Sequence, residues 1–249
     1  MRSLMSVLLL LGIVGCTIQQ TGPASREQAS MAARANTEIA SYHLRNGALE
    51  TALAKVSQAL AQDDDRVDAH LVAAEIRDRL AEPARAERHY RRALSLSGRS
   101  GAALNNYAGF LCRAGETVAA VEHWRQAAAL RRYDGRAMAL SNAAQCLVQA
   151  NASGPVPRAD RYWRRALRIE PDYAPALRGL AEWSLARGEL NAAGAWYSRY
   201  TASVEENPAG LWLGIRIAGA GDEAARQRAL TARLRERFPA SEQAARLTE

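Results

Sequence analysis

The chain has a single lysine, Lys55, two phenylalanines and three cysteines, and beyond its first fifteen residues no apolar run approaches membrane length. No spanning helix is therefore expected, the N-terminal run itself being too short for one. Sustained alternation of apolar and polar residues is missing, which argues against half-buried strands. A phosphate-cradling loop ending in Gly-Lys-Ser/Thr is missing too, as is any clustered cysteine–histidine set for zinc. The histidines, His43, His70, His89 and His123, lack metalloprotease spacing, and His89 and His123 stand 34 apart, which suits packing better than metal binding. Ser97-Gly-Arg-Ser-Gly101 lacks the glycine spacing of a nucleophile elbow. Asp63-Asp64-Asp65 reads as a solvated turn near a helix start. These gaps point to a protein that is not an enzyme, with no cofactor, no metal and no small-molecule substrate. Charge is unbalanced, 33 Lys plus Arg against 26 Asp plus Glu, yet no block of five basic residues occurs. Nucleic acid is not the expected partner, and the arginines read as solvated helix faces.

What is present is a period. Alanines at 52, 86, 120, 159 and 193 are spaced by 34, 34, 39 and 34. Four residues after each stands Val56, Tyr90, Trp124, Trp163 or Tyr197, and three later Ala59, Ala93, Ala127, Ala166 or Tyr200. The longer step coincides with the loop-like insertion Asn151-Ala-Ser-Gly-Pro-Val-Pro157. A 34-residue period is the tetratricopeptide value, one helical hairpin per copy. Small residues fall where helices approach closely, at Ala40, Ala74, Ala108, Ala143 and Ala181 of the first helices, and large ones fill the space between hairpins. Turns are expected at Gly47, Gly115 and Gly188. The fold class is all-α, a right-handed tetratricopeptide superhelix of about six hairpins at 33–66, 67–100, 101–134, 135–173, 174–207 and 208–241. The sixth is degenerate, with Gln227 in place of the alanine, as terminal repeats often are. A short tail, 242–249, follows.

The N-terminus has the three-part layout of an export signal over residues 1–15: Arg2, an apolar stretch from Leu4 to Val14, and Gly15 before Cys16. Ile13-Val14-Gly15-Cys16 resembles a bacterial lipoprotein signal, in which Cys16 becomes a lipidated N-terminus. Several acyl chains anchor firmly where one binds only marginally. Thr17, in place of an aspartate, favours the outer membrane by analogy with such lipoproteins. Residues 16–32 read as the lipidated end and a flexible tether.

Cys112 and Cys146 lie one period apart, in equivalent places of neighbouring hairpins. An oxidising compartment and the small neighbours Gly109 and Ala143 favour a disulfide between them. The other reading is two buried thiols acting as small apolar groups.

Leu104-Asn-Asn-Tyr-Ala-Gly-Phe-Leu-Cys112 with Gly115, and Asn142-Ala-Ala-Gln-Cys146 one repeat later, resemble the type IV pilus biogenesis and stability lipoproteins, the PilF/PilW-type pilotins. Leu211-Trp-Leu-Gly-Ile-Arg-Ile-Ala218 and Phe238-Pro-Ala-Ser-Glu242 are similar to that family's last repeat. The resemblance implies an adaptor on the periplasmic face of the outer membrane that binds the pilus secretin and promotes its localisation or multimerisation. It also makes Asn105, Asn106, Tyr107 and Asn142 candidate groove contacts for a bound polypeptide. Asparagine supplies donors and acceptors for a bound strand, but the same residues could brace the helices from within. Two other functions fit a lipid-anchored repeat array: a β-barrel-assembly lipoprotein, and an accessory to exported cell-wall enzymes.

Overall fold

The computed structural model describes residues 23–98, 100–150 and 159–247. The export signal, Cys16 and the insertion at 151–157 lie outside them. The described residues form thirteen helices and no strand, a tetratricopeptide array of six hairpins. The hairpins are α1 (Pro23–Arg45) with α2 (Leu49–Gln62), α3 (Val67–Arg79) with α4 (Pro83–Ser97), and α5 (Gly101–Arg113) with α6 (Thr117–Ala129). Next come α7 (Arg136–Ala150) with α8 (Ala159–Ile169), α9 (Ala174–Ala186) with α10 (Leu190–Ser203), and α11 (Pro208–Ala220) with α12 (Ala224–Arg237), then the short α13 (Glu242–Ala245).

Every alanine of the period is buried, from Ala40 and Ala52 in the first hairpin to Ala181 and Ala193 in the fifth. Between these close contacts Tyr90, Trp124, Trp163 and Tyr197 fill the gaps and are themselves covered. Trp163 of α8 lies directly on Gly179 of α9: a Cβ there would come within 2.4 Å of the indole. Each hairpin therefore completes its core against the next one, which is how repeat arrays gain stability.

The tight turns share one hydrogen-bond pattern. The amide of Ala48 donates to the carbonyl of His43 at 3.0 Å, and Glu116 to Leu111, Glu189 to Ser184, Glu82 to Arg77 and Glu223 to Ala218 do likewise. This closes a helix end through one left-handed residue. Gly47, Gly115 and Gly188 supply it at φ of 75°, 83° and 72°, where glycine has no Cβ to clash. Ala81 (57°) and Asp222 (56°) fill the same role in the second and sixth hairpins.

Two expected boundaries move. Residues 23–32, expected as tether, are instead the first turns of α1. Arg26, Glu27, Gln28, Ala29 and Met31 are good helix formers, and Arg66 Nη1 donates to the Ser30 carbonyl at 3.5 Å. At the other end, the expected tail contains α13, whose Ala244 is buried with Leu211, Ile215 and Leu234 as a cap on the last hairpin.

Candidate docking site

The motif residues of α5 and α7 are held together, but mostly by one another. Asn105 is buried, and its Oδ1 accepts from Trp124 Nε1 at 3.0 Å and from Asn142 Nδ2 at 3.2 Å. Its own amide donates to Asn106 Oδ1 at 3.3 Å. Tyr107 is buried as well, its ring stacked on Phe110 (6.1 Å between centroids, 13° between planes). The Tyr107 hydroxyl donates to Glu87 Oε1 at 3.1 Å. Burial first, and then that bond to a carboxylate, raises the Tyr107 phenol. The Arg91 guanidinium holds Glu87 below the ordinary carboxylate value, with a smaller contribution from Tyr107.

Of the two roles open to these residues, Asn105 and Tyr107 are seen here bracing the helices from within. Trp124 brings one polar atom into the core, and a buried donor requires an acceptor. Asn105 is that acceptor. Asn142 is half-buried with its amide committed to Asn105, and Asn106 alone of the four is exposed.

A disulfide joins Cys112 of α5 to Cys146 of α7, with Cα atoms 6.0 Å apart. That lies within the span of about 4.4–6.8 Å that a bridge requires. Ala143 of α7 is fully buried, whereas a Cβ on Gly109 would meet only Arg113 of its own helix.

The uncovered apolar surface lies elsewhere, on α1. Met31, Ile39 and Tyr42 are 59%, 41% and 58% exposed, and exposed Ala35 falls between them. At spacings of four, four and three, these residues form one stripe along the helix. The positions 34 residues after Ala35, Ile39 and Tyr42 are Ala69, Ala73 and Ile76, all buried in the core shared by the first two hairpins. A further 34 on, Ala103, Tyr107 and Phe110 are buried too. In later repeats, then, this face packs against the hairpin before it, and among the described residues no hairpin covers it in the first repeat. One signal for the stripe was available in the sequence: apolar residues persist at the stacking positions of a terminal repeat, where a polar face is expected.

Its chemistry suits association, not bond-making. The flanking Arg34–Glu38 pair, 3.0 Å apart, is solvent-exposed. Among the described residues, no three or more His, Cys, Asp or Glu side chains gather closely enough to hold a metal ion. No described helix is long and apolar enough to cross a membrane.

No family model matches the chain. It is similar to the type IV pilus assembly protein PilF of Pseudomonas aeruginosa, 27% identical over 219 residues, covering 87% of this chain and 86% of PilF. Among solved structures, that of PilW, a widely conserved type IV pilus biogenesis factor, superposes with a TM-score of 0.74 at 29% identity, over 87% of this chain and 98% of PilW. The structure of Pseudomonas aeruginosa PilF superposes with a TM-score of 0.71 at 24% identity, over 90% of this chain and 98% of PilF.

Proposed function

Starting from a chain that belongs to the PilF/PilW-type family of type IV pilus tetratricopeptide proteins, we propose that it is a pilotin. In this reading it is lipidated at Cys16, works at the periplasmic face of the outer membrane, and binds the pilus secretin to promote its localisation or multimerisation. It acts by binding and not by catalysis.

The observation that carries the reading is the open stacking face of α1, with Ile39 and Tyr42 exposed where Ala73 and Ile76 of the next hairpin are covered. Exposed apolar surface of this kind marks interaction sites. The face matches the surface on which a hairpin's second helix packs elsewhere in the array, so an amphipathic helix of the secretin could occupy it by helix-in-groove packing. Lipid then supplies location and α1 supplies recognition.

Affinity capture from solubilised outer membranes, followed by mass spectrometry, tests this. Secretin subunits should be retained by the native chain and lost with Ile39→Glu/Tyr42→Glu. Recovery of a barrel-assembly subunit or of cell-wall enzymes, with no secretin, would refute the proposal. Cys16→Ala should release the protein from outer membranes washed in high salt; retention there would remove the lipid anchor from the account.

A further inference from the structure

The helix α8 divides its surface sharply. Ala159, Trp163, Ala166 and Leu167 are buried in the main core. On the opposite side Arg161, Arg164, Arg165 and Arg168 are all exposed, and their spacing of three, one and three places them on one stripe. One carboxylate answers them, Asp160, 3.4 Å from Arg164 Nε. Arg161, Arg165 and Arg168 have no acid within ion-pair distance among the described residues.

The neighbouring helix α10 extends the patch. The guanidinium groups of Arg164 of α8 and of Arg199 of its own helix lie 5.3 Å and 5.2 Å from the centre of its Trp196 ring. Arg199 also donates to the Pro171 carbonyl at 2.7 Å, which fixes it beside the indole. By contrast, the arginines of α4 are largely neutralised: Arg85 by Glu82, Arg91 by Glu87, and Arg92 by Asp65. Helix α8 thus carries four exposed arginines against one acid, and with Arg199 they flank an aromatic ring.

We propose that this surface, Arg161, Arg164, Arg165, Arg168 and Arg199 around Trp196, docks on the anionic phospholipid headgroups of the membrane that carries the lipid anchor. Guanidinium groups match phosphate through paired N–H donors. Tryptophan favours the headgroup level of a bilayer, where one end of the ring is apolar and the other wet. The occupant follows from charge complementarity and from chain length. Only residues 17–22 separate Cys16 from α1, a reach of at most about 25 Å. An anchored chain therefore keeps the array within reach of an anionic surface, and a basic patch there fixes which side of the array lies against it. This step rests on the anchor proposed above.

Cosedimentation of the Cys16→Ala chain with vesicles tests the surface without any acyl contribution. Binding should appear with phosphatidylcholine containing phosphatidylglycerol, not with phosphatidylcholine alone, and should fall as salt rises. At about 1 kcal/mol per basic residue near an anionic surface, Arg161→Gln/Arg165→Gln/Arg168→Gln should weaken it roughly a hundredfold. Arg85→Gln/Arg91→Gln, on the neutralised helix, should change it little. Equal binding to both vesicle types, or undiminished binding by the triple variant, overturns the proposal. So does preference for a single-stranded oligonucleotide over the vesicles at the same salt, or loss of secretin capture in the triple variant. Retention of Cys16→Ala on cell membranes washed in high salt, where the basic patch is screened, would instead strike at the anchor, a separate readout from vesicle binding.

Discussion

The indole of Trp124 donates to the side-chain oxygen of Asn105 across a 3.0 Å contact between α6 and α5, and both residues are buried. Removing the acceptor leaves a covered N–H with no partner. Asn105→Ala should therefore cost about 1–3 kcal/mol of unfolding free energy. Trp124→Phe removes the donor as well, so the double variant should lose less than the sum of the two single losses. Urea denaturation of the four proteins measures this, and strict additivity would mean that the two groups do not act as a pair.

The disulfide between Cys112 and Cys146 closes a loop spanning 34 positions. Cross-linking a loop of that length restricts the unfolded chain by about 3–4 kcal/mol in the chain-entropy model. Urea midpoints of the oxidised protein and of Cys112→Ser/Cys146→Ser should differ accordingly, with the bridged form more stable. Coincident midpoints would show that the cross-link contributes nothing beyond what the packed helices already supply.

Repeat number, helix pairing and the covered positions were legible because the array repeats one packing problem. Ala86 and Ala120 sit where two backbones approach, and only a small side chain fits, whichever hairpin is considered. The job of Asn105 was not legible. An asparagine facing a ligand and one answering Trp124 look alike until the indole's direction is known. Turns were visible at Gly47, Gly115 and Gly188, where glycine advertises a positive φ, but not at Ala81 or Asp222, which adopt it without that mark. The open face of α1 depends on an end effect: Ile39 resembles its repeat partner Ala73 in hydrophobicity, and it is exposed because no described hairpin lies against it.

That end effect predicts opposite results for the same chemistry one repeat apart. Tyr42 is exposed and Ile76, 34 residues on, is fully buried. Tyr42→Glu should change stability by no more than about 0.5 kcal/mol, as surface substitutions do. Ile76→Glu puts an unpaired carboxylate into the core of the first two hairpins and should unfold that end of the array. Circular dichroism melts of the two variants make the comparison. A large loss from Tyr42→Glu would mean that its ring supports the fold and is not free to bind a partner.

Acid should weaken the second hairpin through His89. His70 Nε2 lies 2.9 Å from the Asp64 carbonyl, an acceptor only, so that nitrogen carries the proton. His70 Nδ1 is then the acceptor for the Nδ1–H of His89, 2.9 Å away. Burial first, then the charges of His70, Arg77 and Arg88, lower His89 from 6.5 to about 4. The unfolded chain therefore binds more protons than the folded one between those values, and stability must rise with pH across that window. The contribution is complete above pH 6.5 and is lost as pH falls toward 4. His123, lowered by its own burial, adds to the acid sensitivity of the native protein, so a variant is needed to isolate the pair. Urea midpoints measured across the window should climb more steeply with pH for the native chain than for His89→Phe, which has no proton to take up. Parallel slopes would show that His89 titrates alike in folded and unfolded chains, and that its contact with His70 does not couple folding to pH.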